Sequence, residues 1–229
     1  MRFLALLAVA LLAAGCGSGA PPSDSSAASS GPDASATPAP TATAAGPRVV
    51  FLGDSISAGL HLDPEFAFPQ LIAARLAAAG RPIELNNAGR SGDTTSGGLS
   101  RVDWLLSQSP DVLVVELGGN DGLRGIPLDT VEANLRGIVE RAQERGARVL
   151  LLAMHLPGNY GAAYTQDFHA RYARVAKDTG AALCADFLEG VGGVAELNLA
   201  DGIHPNEEGH RRLAERVQPH LERLLEDLE

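Results

Sequence analysis

Five short segments rich in apolar residues alternate with longer amphipathic segments over most of the chain. The short segments are residues 48–52, 83–87, 112–117, 148–153 and 182–186. Near-continuous apolar runs of this length are typical of parallel β-strands that are covered on both faces. The pattern therefore predicts a five-stranded parallel sheet.

Between these strands, apolar residues recur at the spacing of an α-helix. The predicted helices are residues 66–79, 95–107, 128–145 and 164–179, and a last helix covers 206–227. Gly80, Gly146 and Gly180 follow three of them, and glycine commonly ends a helix in the left-handed conformation. Because strands that alternate with helices form right-handed crossovers, we predict an α/β protein with three α/β/α layers.

Polar segments follow the first three predicted strands. Gly53, Asp54 and Ser55 follow the first strand, a glycine-rich loop at 86–95 follows the second, and residues 116–121 follow the third. Ligands of such sheets bind at the carboxyl ends of the strands. We therefore expect one site to be built from these segments.

Ser55 is the candidate nucleophile, because a strand followed by glycine places its hydroxyl on the carboxyl edge of the sheet. The segment is not the Gly-x-Ser-x-Gly elbow of α/β-hydrolases, since Ser57 stands where the second glycine would be. A serine that caps a helix N-terminus is the alternative. Likewise, Gly92 and Asn120 are either turn residues or donors to the site through a backbone N–H and a side-chain amide.

A fourth polar segment, residues 201–206, precedes the last helix. Asp201 and His204 are three residues apart on one loop, and Pro205 suits the first turn of the helix that follows. A serine, a histidine and an aspartate at the same edge of one fold form a catalytic triad, with His204 as the base and Asp201 as its partner.

The four segments resemble the sequence blocks of the SGNH or GDSL hydrolases. The name of that family lists its block residues, which match Ser55, Gly92, Asn120 and His204 in order. The chain is most similar to the acyl-CoA thioesterase I, lysophospholipase and arylesterase subgroup, which the stretch at 156–161 also supports. The resemblance covers residues 48–228, and Ile56 stands where the GDSL name has leucine.

The resemblance implies a flavodoxin-like SGNH-hydrolase fold and a serine hydrolase. Such an enzyme cleaves carboxylic esters or thioesters, among them aryl esters, acyl esters and lysophospholipids, through an acyl-enzyme on Ser55. The backbone N–H groups of Ser55 and Gly92 and the side chain of Asn120 form the implied oxyanion hole. No metal and no cofactor is implied. Two alternatives remain open: a carbohydrate or peptidoglycan O-acetyl esterase, and a non-catalytic binding lipoprotein of the same fold.

Several polar residues near these segments are interpreted as structural. Asp54 belongs to the serine block and is left out of the triad, and Asp93 and Asp121 are expected to order loops. The remaining histidines are interpreted as surface or packing residues, although His155 precedes a loop at 156–161 that, with residues 60–62, is expected to flank an acyl groove. Cys184, in an apolar stretch, is expected to be buried.

The N-terminus carries a targeting segment. An apolar run too short to span a bilayer follows Arg2 and ends in Leu12-Ala13-Ala14-Gly15-Cys16, which resembles the bacterial lipobox. This predicts a lipoprotein signal peptide at 1–15 and a lipidated Cys16; an ordinary secretory signal is the alternative. The Ser/Ala/Pro/Thr-rich residues 16–47 are predicted to be a disordered tether, and 48–229 the hydrolase domain.

This organisation predicts a protein of the bacterial cell envelope, bound to the membrane through Cys16. In a Gram-negative host, Gly17 favours the outer membrane, facing the periplasm; a periplasmic or secreted protein is the alternative. The net charge of −10 argues against nucleic acid, which requires a basic surface. The partner that the resemblance implies is a small ester or lipid substrate.

Overall fold

The sheet has five parallel strands, as the apolar pattern predicts. In the computed structural model, which describes residues 46–228, they are β1 (Arg48–Gly53), β2 (Glu84–Asn87), β3 (Val112–Glu116), β4 (Arg148–Leu152) and β5 (Ala182–Cys184). Their order is β2-β1-β3-β4-β5, the order of flavodoxin-like sheets. The predicted fold class is confirmed. The predicted signal peptide, the lipidation of Cys16 and nearly all of the tether lie outside the described residues.

Seven α-helices occur among the described residues. They are α1 (Ser55–Ala58), α2 (Phe68–Ala78), α3 (Thr95–Leu106), α4 (Gly119–Leu123), α5 (Leu128–Glu144), α6 (Ala162–Thr179) and α7 (Glu207–Glu226). Helix α5 packs against both α3 and α6, whereas α2 packs against α7. Because right-handed crossovers place these two groups on opposite faces of the sheet, the molecule has the predicted α/β/α layers. None of the described helices is long and apolar enough to cross a bilayer.

The core lies on both faces of the central strands. Every residue of β3 is buried, and in β1 only Arg48 is exposed. Phe51 of β1 contacts Phe68 of α2 edge-on, with ring centroids 5.6 Å apart. A strand without an exposed face has few positions for polar side chains, so polar groups collect at strand ends.

The short helices α1 and α4 have no counterpart among the predicted elements, because four or five residues are too few to show a helical period. Each begins just after a strand, α1 after β1 and α4 after β3. Strands β1 and β3 are neighbours in the sheet, and Gly53 pairs with Glu116 at their ends. The two short helices therefore start side by side at the carboxyl edge.

Candidate active site

Ser55 is the first residue of α1, and its side chain lies at the carboxyl edge of the sheet. The residue that caps this helix is Asp54, whose Oδ1 accepts a hydrogen bond from the Ile56 N–H at 2.9 Å. The alternative in which Ser55 itself caps the helix is therefore wrong. Since Asp54 accepts the backbone donor, the Ser55 hydroxyl is left for another partner.

That partner is His204. The Ser55 Oγ and His204 Nε2 atoms are 2.9 Å apart, and Asp201 Oδ2 lies 2.7 Å from His204 Nδ1. The other Asp201 oxygen accepts from the backbone N–H groups of Ile203 and His204. These bonds, led by that of the His204 N–H, lower the pKa of Asp201 to about 2. The carboxylate is thus held as an anion beside the imidazole.

The loop that carries this pair is fixed at both ends. Residues Asn198 and Pro205 form an antiparallel bridge, and the Leu199 N–H donates to the His204 carbonyl at 2.7 Å. Asn206 then caps α7, its side chain accepting from the Gly209 N–H at 3.1 Å. The three-residue spacing of Asp201 and His204 accordingly forms a closed turn that holds Asp201 against one ring nitrogen of His204 and presents the other to Ser55.

Asn120 lies on α4, which follows β3, whereas Ser55 lies on α1, which follows the neighbouring strand β1. Its Nδ2 donates to Asp54 Oδ2 at 3.0 Å, which leaves the second amide hydrogen free. Gly118 before it has a φ of +114°, and a Cβ there would lie 2.1 Å from the Tyr172 hydroxyl. Only glycine fits this turn, so the sequence Gly118-Gly119-Asn120 is needed to bring the amide to the site.

Gly92 lies in the loop after β2, with a φ of +78°. Its carbonyl accepts from Arg124 Nη2 at 3.1 Å, and the same nitrogen is 3.4 Å from Asn120 Oδ1. Arg124 thus joins the two residues that the resemblance assigns to the oxyanion hole. Ser55, Asn120 and His204 line one cavity, whereas Gly92 is not among the residues that line it.

The neighbouring aspartates order loops, as their positions suggested. Asp121 accepts from the Thr95 N–H at 2.9 Å and from the Thr95 hydroxyl at 2.6 Å. Asp93 forms an ion pair with Arg101 at 2.8 Å, and Arg101 also donates to the carbonyls of Ala88 and Gly53. Arg101 therefore ties the loop after β2 to the end of β1, a role that its position inside a helix does not reveal.

The comparison with known proteins agrees with this geometry. The sequence profile of the GDSL-like lipase and acylhydrolase family matches residues 51–212. The chain belongs to this family. The predicted family is therefore confirmed.

Close relatives of this GDSL-like hydrolase cover almost its whole described part. It is 45% identical to Esterase TesA of Pseudomonas aeruginosa over 186 residues, 81% of this chain and 92% of the relative. It is 37% identical to Thioesterase 1/protease 1/lysophospholipase L1 of Escherichia coli over 80% of this chain and 86% of the relative. The crystal structure of TesA matches with a TM-score of 0.76 at 45% identity, covering 77% of this chain and 99% of that one.

The cavity of this GDSL-like hydrolase has a volume of about 670 Å³. Ser55 and His204 lie in it with Asn120. Its apolar lining includes Ile56, Leu123, Met154, Leu156, Leu188 and Ile203. Cavities that combine a mostly apolar wall with a few convergent polar groups are typical of small-molecule sites.

The walls of the cavity agree only in part with the expected groove. His155, Leu156 and Gly158 line it, and the His155 ring lies over His169 with centroids 3.9 Å apart. Residues 60–62 are absent from its lining, because the chain turns left-handed at Gly59 and leads away toward α2. Residues 188–193, which carry no recognisable motif, form much of the remaining wall. Their position after β5 is the signal that could have predicted this, because ligands bind at the carboxyl ends of such strands.

One group of possible metal ligands occurs in the described part of the chain: Cys184, Asp186 and His220, whose ligand atoms lie within 4.8 Å of one another. Arg216 is already paired with Asp186. Burial raises the pKa of the Cys184 thiol to about 12, and metal binding requires the thiolate. The group therefore fits a neutral thiol beside an ion pair better than a metal site.

Proposed function

We propose that this GDSL-like hydrolase cleaves carboxylic esters or thioesters through an acyl-enzyme on Ser55. The observation that supports this most strongly is the chain of contacts from Ser55 Oγ to His204 Nε2 and from His204 Nδ1 to Asp201, within an apolar cavity. A serine hydroxyl is a weak nucleophile at neutral pH and requires a base at hydrogen-bond distance. The relatives are named esterase and thioesterase/lysophospholipase.

In the first step, His204 Nε2 takes the proton of Ser55 while Oγ attacks the carbonyl carbon of the substrate. The positive charge that forms on the imidazole is stabilised by Asp201, which also fixes the tautomer with Nδ1 protonated. The carbonyl oxygen becomes an oxyanion. Its proposed donors are the free hydrogen of Asn120 Nδ2 and the Ser55 N–H, both at the cavity, and the Gly92 N–H of the neighbouring loop, which the resemblance adds.

The tetrahedral intermediate then breaks down. His204 gives its proton to the departing alcohol or thiol, and the acyl group remains on Ser55 Oγ. A water molecule enters, loses a proton to the same imidazole and attacks the acyl carbon. Collapse of the second oxyanion releases the carboxylic acid and returns the proton to Ser55. Every proton transfer uses one nitrogen, so the chemistry requires no other base.

The cavity favours a substrate with a medium or long acyl chain. Its walls beside Ser55 are aliphatic, with Ile56, Met154, Leu156 and Leu188 among them. Each methylene removed from water contributes about 0.8 kcal/mol. An acetyl group would leave most of this surface uncovered, so a carbohydrate O-acetyl ester is the less favourable substrate.

The test is hydrolysis of p-nitrophenyl esters from acetyl to palmitoyl by the full chain and by its Ser55→Ala variant, with acetylated xylan alongside. We expect turnover to peak at or above octanoyl and to vanish in the variant. Full esterase turnover by Ser55→Ala would contradict the nucleophile assignment. Faster turnover of acetylated xylan than of the octanoyl ester would favour the O-acetyl esterase.

We propose further that the enzyme is a lipoprotein of the bacterial cell envelope, held by Cys16 and the tether at 16–47. The support is the lipobox-like sequence that ends at Cys16. Two acyl chains, unlike one, give stable anchoring. Growth with an alkyne-labelled fatty acid is expected to label the full chain but not its Cys16→Ser variant. Unlabelled wild-type protein in the soluble fraction would favour the periplasmic or secreted alternative.

A further inference from the structure

Glu116, the last residue of β3, is a fully buried carboxyl that the proposed chemistry does not use. Its Oε2 accepts from three donors: the Asp54 N–H at 3.1 Å, the Ser57 N–H at 3.1 Å and the Ser57 hydroxyl at 2.7 Å. These donors flank Ser55 on both sides. One oxygen atom thus holds both ends of the turn that carries the nucleophile.

The second oxygen, Oε1, is buried and has no hydrogen-bond partner. A buried carboxylate oxygen without a donor is costly. A carboxylic acid would instead present an O–H there, which needs an acceptor. The neighbouring acceptor is the carboxyl of Asp54, which is within side-chain hydrogen-bond reach of Glu116. Its Oδ1 also receives the Ile56 N–H, and its Oδ2 receives the Asn120 amide.

The electrostatics of the pair require a proton. Burial, and then the charge of Asp54, raise the pKa of Glu116 well above its usual range. Burial also raises the pKa of Asp54, to about 6, although hydrogen bonds from Ile56, Glu116 and Asn120 and the charge of His204 oppose this rise. Two buried carboxyls this close cannot both be anions. The proton belongs on Glu116, because its buried Oε1 has no donor, whereas each carboxyl oxygen of Asp54 accepts one.

We propose that Glu116 is a positioning residue in its neutral acid form: Oε2 holds the Ser55 turn, and the Oε1–H donates to Asp54, which holds Asn120. This inference rests on the proposed function. Through Asp54, one buried proton links the turn of the nucleophile to the oxyanion donor. Glycine at position 53 leaves room for the Glu116 carboxyl, since a Cβ at Gly53 would lie 2.7 Å from Glu116 Oε2.

The activity test compares Glu116→Gln with Glu116→Leu in the full chain. Glutamine reproduces the neutral acid: its carbonyl oxygen accepts the three donors and its amide donates to Asp54. Leucine has neither group. We expect kcat of the glutamine variant within about threefold of wild type, and a loss of about 10²-fold for leucine at little changed KM, because the nucleophile is misplaced. Glutamine that loses as much activity as leucine would overturn the proposal.

A second measurement needs no turnover and still decides if the leucine variant fails to fold. Infrared spectra of the full chain with ¹³C-labelled glutamate at pH 7 are expected to show the C=O stretch of a protonated acid. Glu116→Gln should remove that band, and the exposed Glu84→Gln should keep it. A wild type without the band would overturn the neutral form. A wild type with the band but no esterase activity would contradict the proposed function alone.

Discussion

Asp54 and Ser55 are adjacent in sequence, yet their side chains have opposite environments. Asp54 is 2% exposed and bonded to its own helix and to Asn120, whereas the Ser55 hydroxyl faces the cavity and His204. Residue type and position were enough to predict Ser55, at a strand end, and Asp201 and His204, on the loop before the last helix, as candidates. The hydrogen bond that orients Asn120 was not predictable, because it depends on how α1 and α4 meet in space.

Removal of the Asn120 amide tests its proposed role as an oxyanion donor. We expect Asn120→Ala to lower kcat by about 10²–10³-fold with a smaller change in KM, because the donor acts chiefly on the transition state. Asn86→Ala is the matched control, since the Asn86 amide bonds to Gln108 outside the cavity. Steady-state kinetics on an octanoyl ester measure both. An unchanged kcat in Asn120→Ala would exclude the amide from the oxyanion hole.

The pH dependence follows from which groups stay charged. Asp201, with its pKa lowered to about 2, remains an anion throughout pH 5–8. His204 accepts the Ser55 proton only as a neutral imidazole, so activity falls as the pH is lowered and histidine takes up protons. Asp54, with its pKa raised to about 6, loses its charge within the pH 8 to pH 5 series and adds to the fall.

We therefore expect kcat/KM to decrease by about tenfold or more per pH unit at the acid end of a pH 8 to pH 5 series. Released p-nitrophenol, quantified by chromatography, gives the rates. Activity must return when the enzyme is brought back to pH 8, which separates titration from unfolding. A flat profile would be incompatible with His204 as the base.

At the scale of elements, the long helices and the strands were predictable, and the short helices were not. All five predicted strands and all five predicted helices form, and no end shifts by more than two residues. Their hydrophobic periods are set by the layers they pack against. Helices α1 and α4 instead begin at the Asp54 cap and at the left-handed turn of Gly118, which no hydrophobic period encodes.

Because Glu116 lies so close to the end of β1, we predict that only glycine fits at position 53. A Cβ on Gly53 would lie 2.1 Å from Ser57 Oγ and 2.7 Å from Glu116 Oε2. We expect Gly53→Ala to lower the free energy of unfolding by about 1–3 kcal/mol, as overpacking does, and to lower kcat by displacing α1. Urea denaturation measures the first effect. Gly158→Ala, with no atom within 4 Å of the added Cβ, is the control, and equal stability of the two variants would refute the argument.

At the scale of the whole molecule, the apolar core that stabilises the fold and the candidate catalytic residues lie in different places. One face of the sheet is covered by α2 and α7, and the other by α3, α5 and α6. The site lies at the edge between these two apolar layers. The composition predicts such a core and excludes a basic surface, but it does not reveal which polar groups are buried in it. His210 is one of them: it is 1% exposed, on α7, and was expected only to be a surface or packing residue.

His210 joins the two helices of one layer. Its Nδ1 accepts from the Phe68 N–H, at the first residue of α2, at 3.1 Å, and its ring stacks on Phe68 with centroids 6.2 Å apart. Only a neutral imidazole can accept this bond. Burial lowers the pKa of His210 to about 4. Between pH 6.5 and 4 the unfolded chain therefore binds more protons at this histidine than the folded chain does, and the free energy of unfolding decreases as the pH is lowered.

The expected loss from this residue is about 2 kcal/mol between pH 6.5 and pH 5. Asp54 and Glu116 act in the opposite direction, because a carboxyl whose pKa is raised in the folded state stabilises that state as the pH falls. The pH dependence of wild-type stability therefore combines both effects. The difference between wild type and His210→Gln isolates the histidine, because glutamine accepts from the Phe68 N–H without titrating. Urea unfolding at pH 7 and pH 5 should show a smaller loss in His210→Gln than in the exposed His61→Asn control; equal losses would mean that His210 does not couple this layer to pH.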